Sequence, residues 1–211
     1  MATTATRKEP RSKSRNNRHA ASRRLLLERL ENRELLAVIS HWTGDNTAAD
    51  SEGSNHGTLI NGTTYAAGQV GQAFKLDGIN DRIGVADSPS LALTGSLTIE
   101  GWIRTDMEPT AQHGNVFFRG DDRGGLDPYW LSLEPGGHLL FQVESLKAAA
   151  GISAPLPIGR FVHVAATLDD STGNMRLYLN GALKAEGVTA VRPFDALDPA
   201  SNPGIGIGNH G

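Results

Sequence analysis

Three short loops carry enough side-chain oxygen to contribute to a hard-cation site. "DNTAADSE" offers Asp45, Asn46, Asp50 and Glu52, "DGIND" offers Asp77, Asn80 and Asp81, and "RGDDRGGLD" offers Asp121, Asp122 and Asp127. Calcium takes about six to eight oxygen ligands, so each loop is at most part of a site. None follows the EF-hand pattern. In "DGINDR", Ile79 holds the third position and Arg82 stands where that loop needs glycine. A second chemistry is carried by the adjacent Tyr129 and Trp130. Sugar rings stack on exposed aromatic faces, and neighbours on a strand point to opposite sides, so one of the pair can serve as a platform while the other packs in the core. Trp42 and Trp102 sit among apolar residues and are read as core.

Catalytic patterns are lacking. A retaining glycosidase needs two carboxylates about 5 Å apart, which same-face positions two apart on a strand would supply. Neither Glu100 nor Glu144 has such a companion. There is no Gly-x-Ser-x-Gly elbow and no phosphate-cradling glycine motif. His19, His41, His56, His113, His138, His163 and His210 are scattered without metal-ligand spacing, and His163 reads as a structural mid-strand residue. A chain without enzymatic activity is expected.

These side chains are positioned by strands and turns. "SLTIEGWIR" places Leu97, Ile99 and Ile103 on one face and Thr98, Glu100 and Arg104 on the other, with Trp102 in the polar register. "FVHVAATL" and "NMRLYLNG" alternate in the same way, with Val162, Val164, Ala166, Leu168, Met175, Leu177 and Leu179 on the apolar side. Period-two alternation marks half-buried antiparallel strands. Asn180-Gly181, Asn61-Gly62, "EPGG" and "DDSTG" supply the turns between them. In "FKLDGINDRIGV", Phe74 and Leu76 begin one strand and Ile83 and Val85 the next. The intervening "DGIND" is predicted to be a hairpin turn rather than a metal site. The fold class expected is all-β: an antiparallel two-sheet sandwich or jelly roll.

The chain has 211 residues, 25 glycines, 6% aromatic residues and no cysteine, so disulfides and Cys-based zinc sites are excluded. Its net charge of −3 is asymmetric: residues 1–37 hold ten Lys or Arg against four Glu, which leaves −9 on residues 38–211. The first 24 residues have no apolar periodicity and are predicted to be disordered. They carry no aromatic residue to stack on bases, which argues against nucleic acid as a partner. "LLLERLENRELLAVIS" predicts a short amphipathic helix, or the apolar part of a targeting segment. No apolar run approaches the ~20 residues of a membrane-spanning helix. Two parts follow: an arm and helix over 1–37, acting in export or sorting, and a β domain over 38–211.

The N-terminal Leu30, Glu31, Asn32, Arg33, Glu34, Leu35 and Leu36 resemble the Leu-Glu-x-Arg-x-Leu-Leu segment of large surface proteins of environmental bacteria. That likeness implies an extracellular or cell-surface location. From residue 38 onward, the segments "HWTGDNTAADSEGSNHGTLINGTTYAAGQVGQAFKLDGINDRIGVADSPSL", "GSLTIEGWIR" and "GRFVHVAATLDDSTGNMRLYLNGALKAEG" occur in the order seen in one family. They are similar to the laminin-G-like, concanavalin A-like jelly rolls of bacterial surface and secreted proteins. The resemblance implies a noncatalytic module that recognises carbohydrate or an extracellular protein. A structural spacer and a glycosidase-type fragment are the alternatives. It also implies a closing strand beyond "PGIGIGNHG", so the chain is expected to be part of a larger protein and to lack its last strand. The strand near "AVISHWTGD" should then lie at an unpaired edge. Pentraxins, distant relatives of this fold, place calcium between two loops whose counterparts here contain Asp121 and Asp122 and, at the chain's end, Asn209. Calcium is therefore an implied cofactor.

Overall fold

The computed structural model describes residues 38–109, 113–121, 123 and 127–208. The basic arm and helix predicted over 1–37 lie outside the described residues, as do Asp122 and Asn209. The strands among the described residues are β1 (Gly57–Ile60), β2 (Thr64–Ala67), β3 (Gln72–Lys75), β4 (Arg82–Ala86), β5 (Leu97–Ile103), β6 (Gly114–Gly120), β7 (Tyr129–Glu134), β8 (His138–Glu144), β9 (Ala149–Pro155), β10 (Val162–Leu168), β11 (Asn174–Leu179), β12 (Ala182–Val188) and β13 (Gly204–Gly208). A single 3-10 turn, Pro89–Leu91, lies between β4 and β5. No helix among the described residues is long and apolar enough to cross a membrane.

A seven-stranded sheet runs in the order β1-β4-β13-β6-β7-β8-β9, and a four-stranded sheet in the order β12-β11-β10-β5. Every pairing is antiparallel. The alternation read from the sequence explains the layering. Leu131, Leu139, Phe141, Val143 and Ile205 from the larger sheet pack with Leu97, Val162, Val164, Ala166, Leu168, Met175 and Leu177 from the smaller one. Burying each such side chain contributes roughly 1.5–3 kcal/mol, which makes this core the main source of stability. The hairpins close where glycine was predicted. Asn180 and Gly181 both have positive φ, +50° and +76°, as a two-residue turn between β11 and β12 requires.

Three details depart from the sequence reading. β2 and β3 form a separate two-stranded sheet, which a two-sheet scheme does not include. "FKLDGINDRIGV" is not a hairpin: β3 pairs with β2, whereas β4 pairs with β1 and β13. Asp81 accepts N–H bonds from Gly62 (2.7 Å) and Asp77 (3.1 Å), which ties the loop to the β1–β2 turn and leaves both edges of β4 for other partners. The segment around "AVISHWTGD" forms no strand, only a bridge between Trp42 and Asp50. Its backbone is held instead by the Asp50 carboxylate, which accepts N–H groups of His41, Glu52 and Asn55.

Candidate functional site

Trp130 lies in one residue row that crosses the whole seven-stranded sheet. In register from β1 to β9 the row reads Thr58, Gly84, Gly206, Phe118, Trp130, Gln142 and Gly151. Its neighbours along the strands, Val85, Ile205, Leu131, Phe141 and Val143, face the core, and Ile83 is likewise buried, so the row itself faces outward. Small residues make it shallow on the β4–β13 side. The Phe118 ring lies over Gly206, where an added Cβ would meet a ring carbon at 2.1 Å, and Phe118 is buried. Trp130, half-buried, is the aromatic ring of this row that remains partly open to solvent. Tyr129 points the other way. It is 1% exposed, stacks on Phe117 at 6.5 Å, and its hydroxyl donates to the Leu91 carbonyl at 2.6 Å. Burial pushes the Tyr129 phenol well above its usual range. Of the two aromatics nominated from sequence, Trp130 can present a face to a ligand and Tyr129 cannot.

Polar groups gather at one end of the row. Gln142 Nε2 donates to Glu144 Oε1 at 3.1 Å, which orients the amide beside Trp130. Glu144 is half-buried, and burial raises its carboxyl above the ordinary value despite that hydrogen bond. Asp127 covers Gly120 on the same side, its Oδ1 only 1.6 Å from where a Cβ on that glycine would stand. At the other end, Ser132 donates to Glu134 at 2.6 Å. Glu134 pairs with His138 in register, so it stands six residues along β8 from Glu144. That is about 20 Å, far beyond the ~5–10 Å separations used by glycosidase carboxylate pairs.

The acidic loops are engaged by the protein itself. Asp77 Oδ1 accepts the N–H groups of Ile79, Asn80 and Asp81, and the Ile79 bond in particular lowers its carboxyl. At Asp50 burial opposes ionisation, but the backbone N–H groups of His41, Gly53, Glu52 and Asn55 outweigh it and hold the carboxyl well below the usual range. Asp121 is buried and gripped through both oxygens by the Arg123 guanidinium at 2.6–2.9 Å, and it also accepts the Asp198 N–H at 2.9 Å. The arginine is the main cause of its lowered carboxyl. A calcium ion at Asp121 would have to displace Arg123. Among the described residues, no three His, Cys, Asp or Glu side chains converge as a metal site.

On the opposite side of the sandwich, Trp102 corrects its assignment to the core. It is 44% exposed and meets His163 edge-on at 5.2 Å. The signal was its register with Thr98 and Glu100, the outward face of β5. Trp42 does pack against the core, with its Nε1–H donating to the Asn55 carbonyl.

A family profile of the concanavalin A-like lectin/glucanases superfamily matches residues 77–210, more than half of the chain. The chain belongs to that superfamily. The match takes in every strand of the Trp130 row except β1. No curated protein matches the chain by sequence. Among solved structures, domain 4 of AbnA, a GH43 extracellular arabinanase from Geobacillus stearothermophilus in complex with arabinotriose, is similar over 82% of this chain and 83% of that one, with 21% identity and a TM-score of 0.62. The CBM40 of the Ruminococcus gnavus IT-sialidase, bound to α2,3 sialyllactose, covers 72% and 76% at 16% identity and a TM-score of 0.48. The Bacillus subtilis carbohydrate-binding module CBM66 covers 73% and 92% at 15% identity and a TM-score of 0.40. The likeness to the arabinanase domain is one of fold.

Proposed function

We propose that the β domain is a noncatalytic carbohydrate-binding module of an exported or cell-surface protein. The observation that carries this reading is the row in which half-buried Trp130 lies between Phe118 and Gln142 on an outward sheet face. An indole offers a flat apolar surface to a sugar ring, and the Gln142 amide and Glu144 carboxylate offer directed hydrogen bonds to its hydroxyls. Superfamily membership supports the reading, and the arabinanase domain that shares the fold was solved with an oligosaccharide. Export is supported by the basic N-terminal stretch and the Leu-Glu-x-Arg-x-Leu-Leu-like segment. The test is affinity electrophoresis of the protein through gels containing soluble polysaccharides. Retardation is expected for the parent. Trp130→Ala should weaken it at least tenfold, roughly 1.4 kcal/mol. Equal retardation of parent and variant would remove Trp130 from the site.

A further inference from the structure

The charge pattern around Trp130 narrows the ligand class. Resting on the carbohydrate-binding reading, we infer that this face selects neutral glycans and rejects glycans bearing carboxylate groups. Recognition of a sugar carboxylate calls for a cationic partner, best an arginine whose planar fork matches it. The outward positions of the five contiguous strands β13, β6, β7, β8 and β9 include no lysine or arginine. Arg119 of β6 is the one lysine or arginine on these strands, and it is turned into the molecule. It is 2% exposed, with Nε and Nη2 each 3.0 Å from Asp87 and Nη1 donating to the Asp195 carbonyl at 3.0 Å.

The charged side chains that do face this surface are acidic. Glu144 stands beside Gln142, Asp127 covers Gly120 at the same end, and Glu134 lies at the far end opposite His138. Among the described residues, Arg82 is on β4, three strands from Trp130, Lys147 is exposed on the β8–β9 turn, and Arg123 is committed to Asp121. A ligand carboxylate over Trp130 would meet Glu144 in a half-buried setting, where like charges repel more strongly than in water. Neutral hydroxyls suit the same groups well. The carboxylate accepts two O–H bonds, and the amide both donates and accepts, which matches a pair of adjacent hydroxyls.

The experiment compares a neutral panel, arabinan and lichenan, with an acidic panel, alginate and polygalacturonate. Affinity electrophoresis is run on the full chain, Trp130→Ala, Trp130→Phe and Glu144→Gln, with a thermal melt of each to confirm folding. The expected result is retardation by a neutral polymer only. It should be lost in Trp130→Ala, largely kept in Trp130→Phe, and weakened about tenfold in Glu144→Gln. Trp130-dependent binding of alginate or polygalacturonate, at equal or greater strength, would overturn the inference and leave the carbohydrate reading standing. No retardation by either panel would overturn both, and retardation indifferent to Trp130→Ala would overturn the inference by removing Trp130 from the site.

Discussion

Individual carboxylates in this protein act mainly as acceptors for its own backbone. Asp50 is the strongest case, buried and surrounded by N–H groups from a loop that has no ladder to satisfy them. Removing it leaves several buried donors unpaired, each costing about 1–3 kcal/mol. Asp50→Ala is therefore expected to destabilise the fold by roughly 2–4 kcal/mol in urea unfolding. The pH dependence has a defined sign. Because folding lowers this carboxyl from its ordinary value of 3.8, its stabilisation is fully present above that value and is lost as pH falls further toward the folded-state value. The parent should lose stability more steeply below about pH 4 than Asp50→Asn does. The same logic separates a cation loop from a structural one. Composition could nominate Asp77, Asp81 and Asp121, but not show that their oxygens already accept N–H and guanidinium donors. Asp198, which donates to Asp121, is 77 residues away in the chain.

At the scale of strands and hairpins, much of the candidate site was legible. "YWLSLE" and "HLLFQVE" flank the "PGG" turn, and counting outward from that turn places Gln142 opposite Trp130. The chemistry of Trp130 is visible in the sequence, whereas Gln142 and Glu144 join it only when hairpin register is combined with residue type. The rest of the row was not accessible in this way. Gly206 and Phe118 become neighbours only because β13 inserts between β4 and β6, a long-range pairing with no local signal. This contact has a consequence. Gly206→Ala places a methyl group in the Phe118 ring and should cost about 1–3 kcal/mol, an overpacking penalty. Phe118→Ala should also destabilise the fold, but the double variant should cost less than the sum of the two. A double-mutant cycle by thermal unfolding measures this coupling, and strict additivity would contradict the packing described.

Across the whole molecule, the apolar core joins the two sheets, and a buried polar tie braces the larger one. Arg119 reaches from β6 to Asp87 after β4 and to the Asp195 carbonyl, joining segments 32 and 76 residues away in sequence. Breaking a buried pair leaves an uncompensated charge, so Arg119→Ala is expected to cost about 3–5 kcal/mol. Arg119→Lys should rescue little of it, because an ammonium cannot make the two parallel bonds to Asp87. Urea unfolding of both variants checks this, and full rescue by lysine would show that charge alone suffices.

The sequence by itself determined the fold class, most of the strands and their turns. Those properties rest on side-chain periodicity and on turn chemistry, both readable within a few residues. Only the tertiary structure decided which aromatic is buried and which is open, that Trp102 faces solvent, and which acids are already engaged. It also brought Trp130, Gln142 and Glu144 together on neighbouring strands whose outward positions hold no lysine or arginine. Those outcomes depend on strand order and register between distant segments, where the partner of each residue is set by the packed core rather than by its neighbours in the chain.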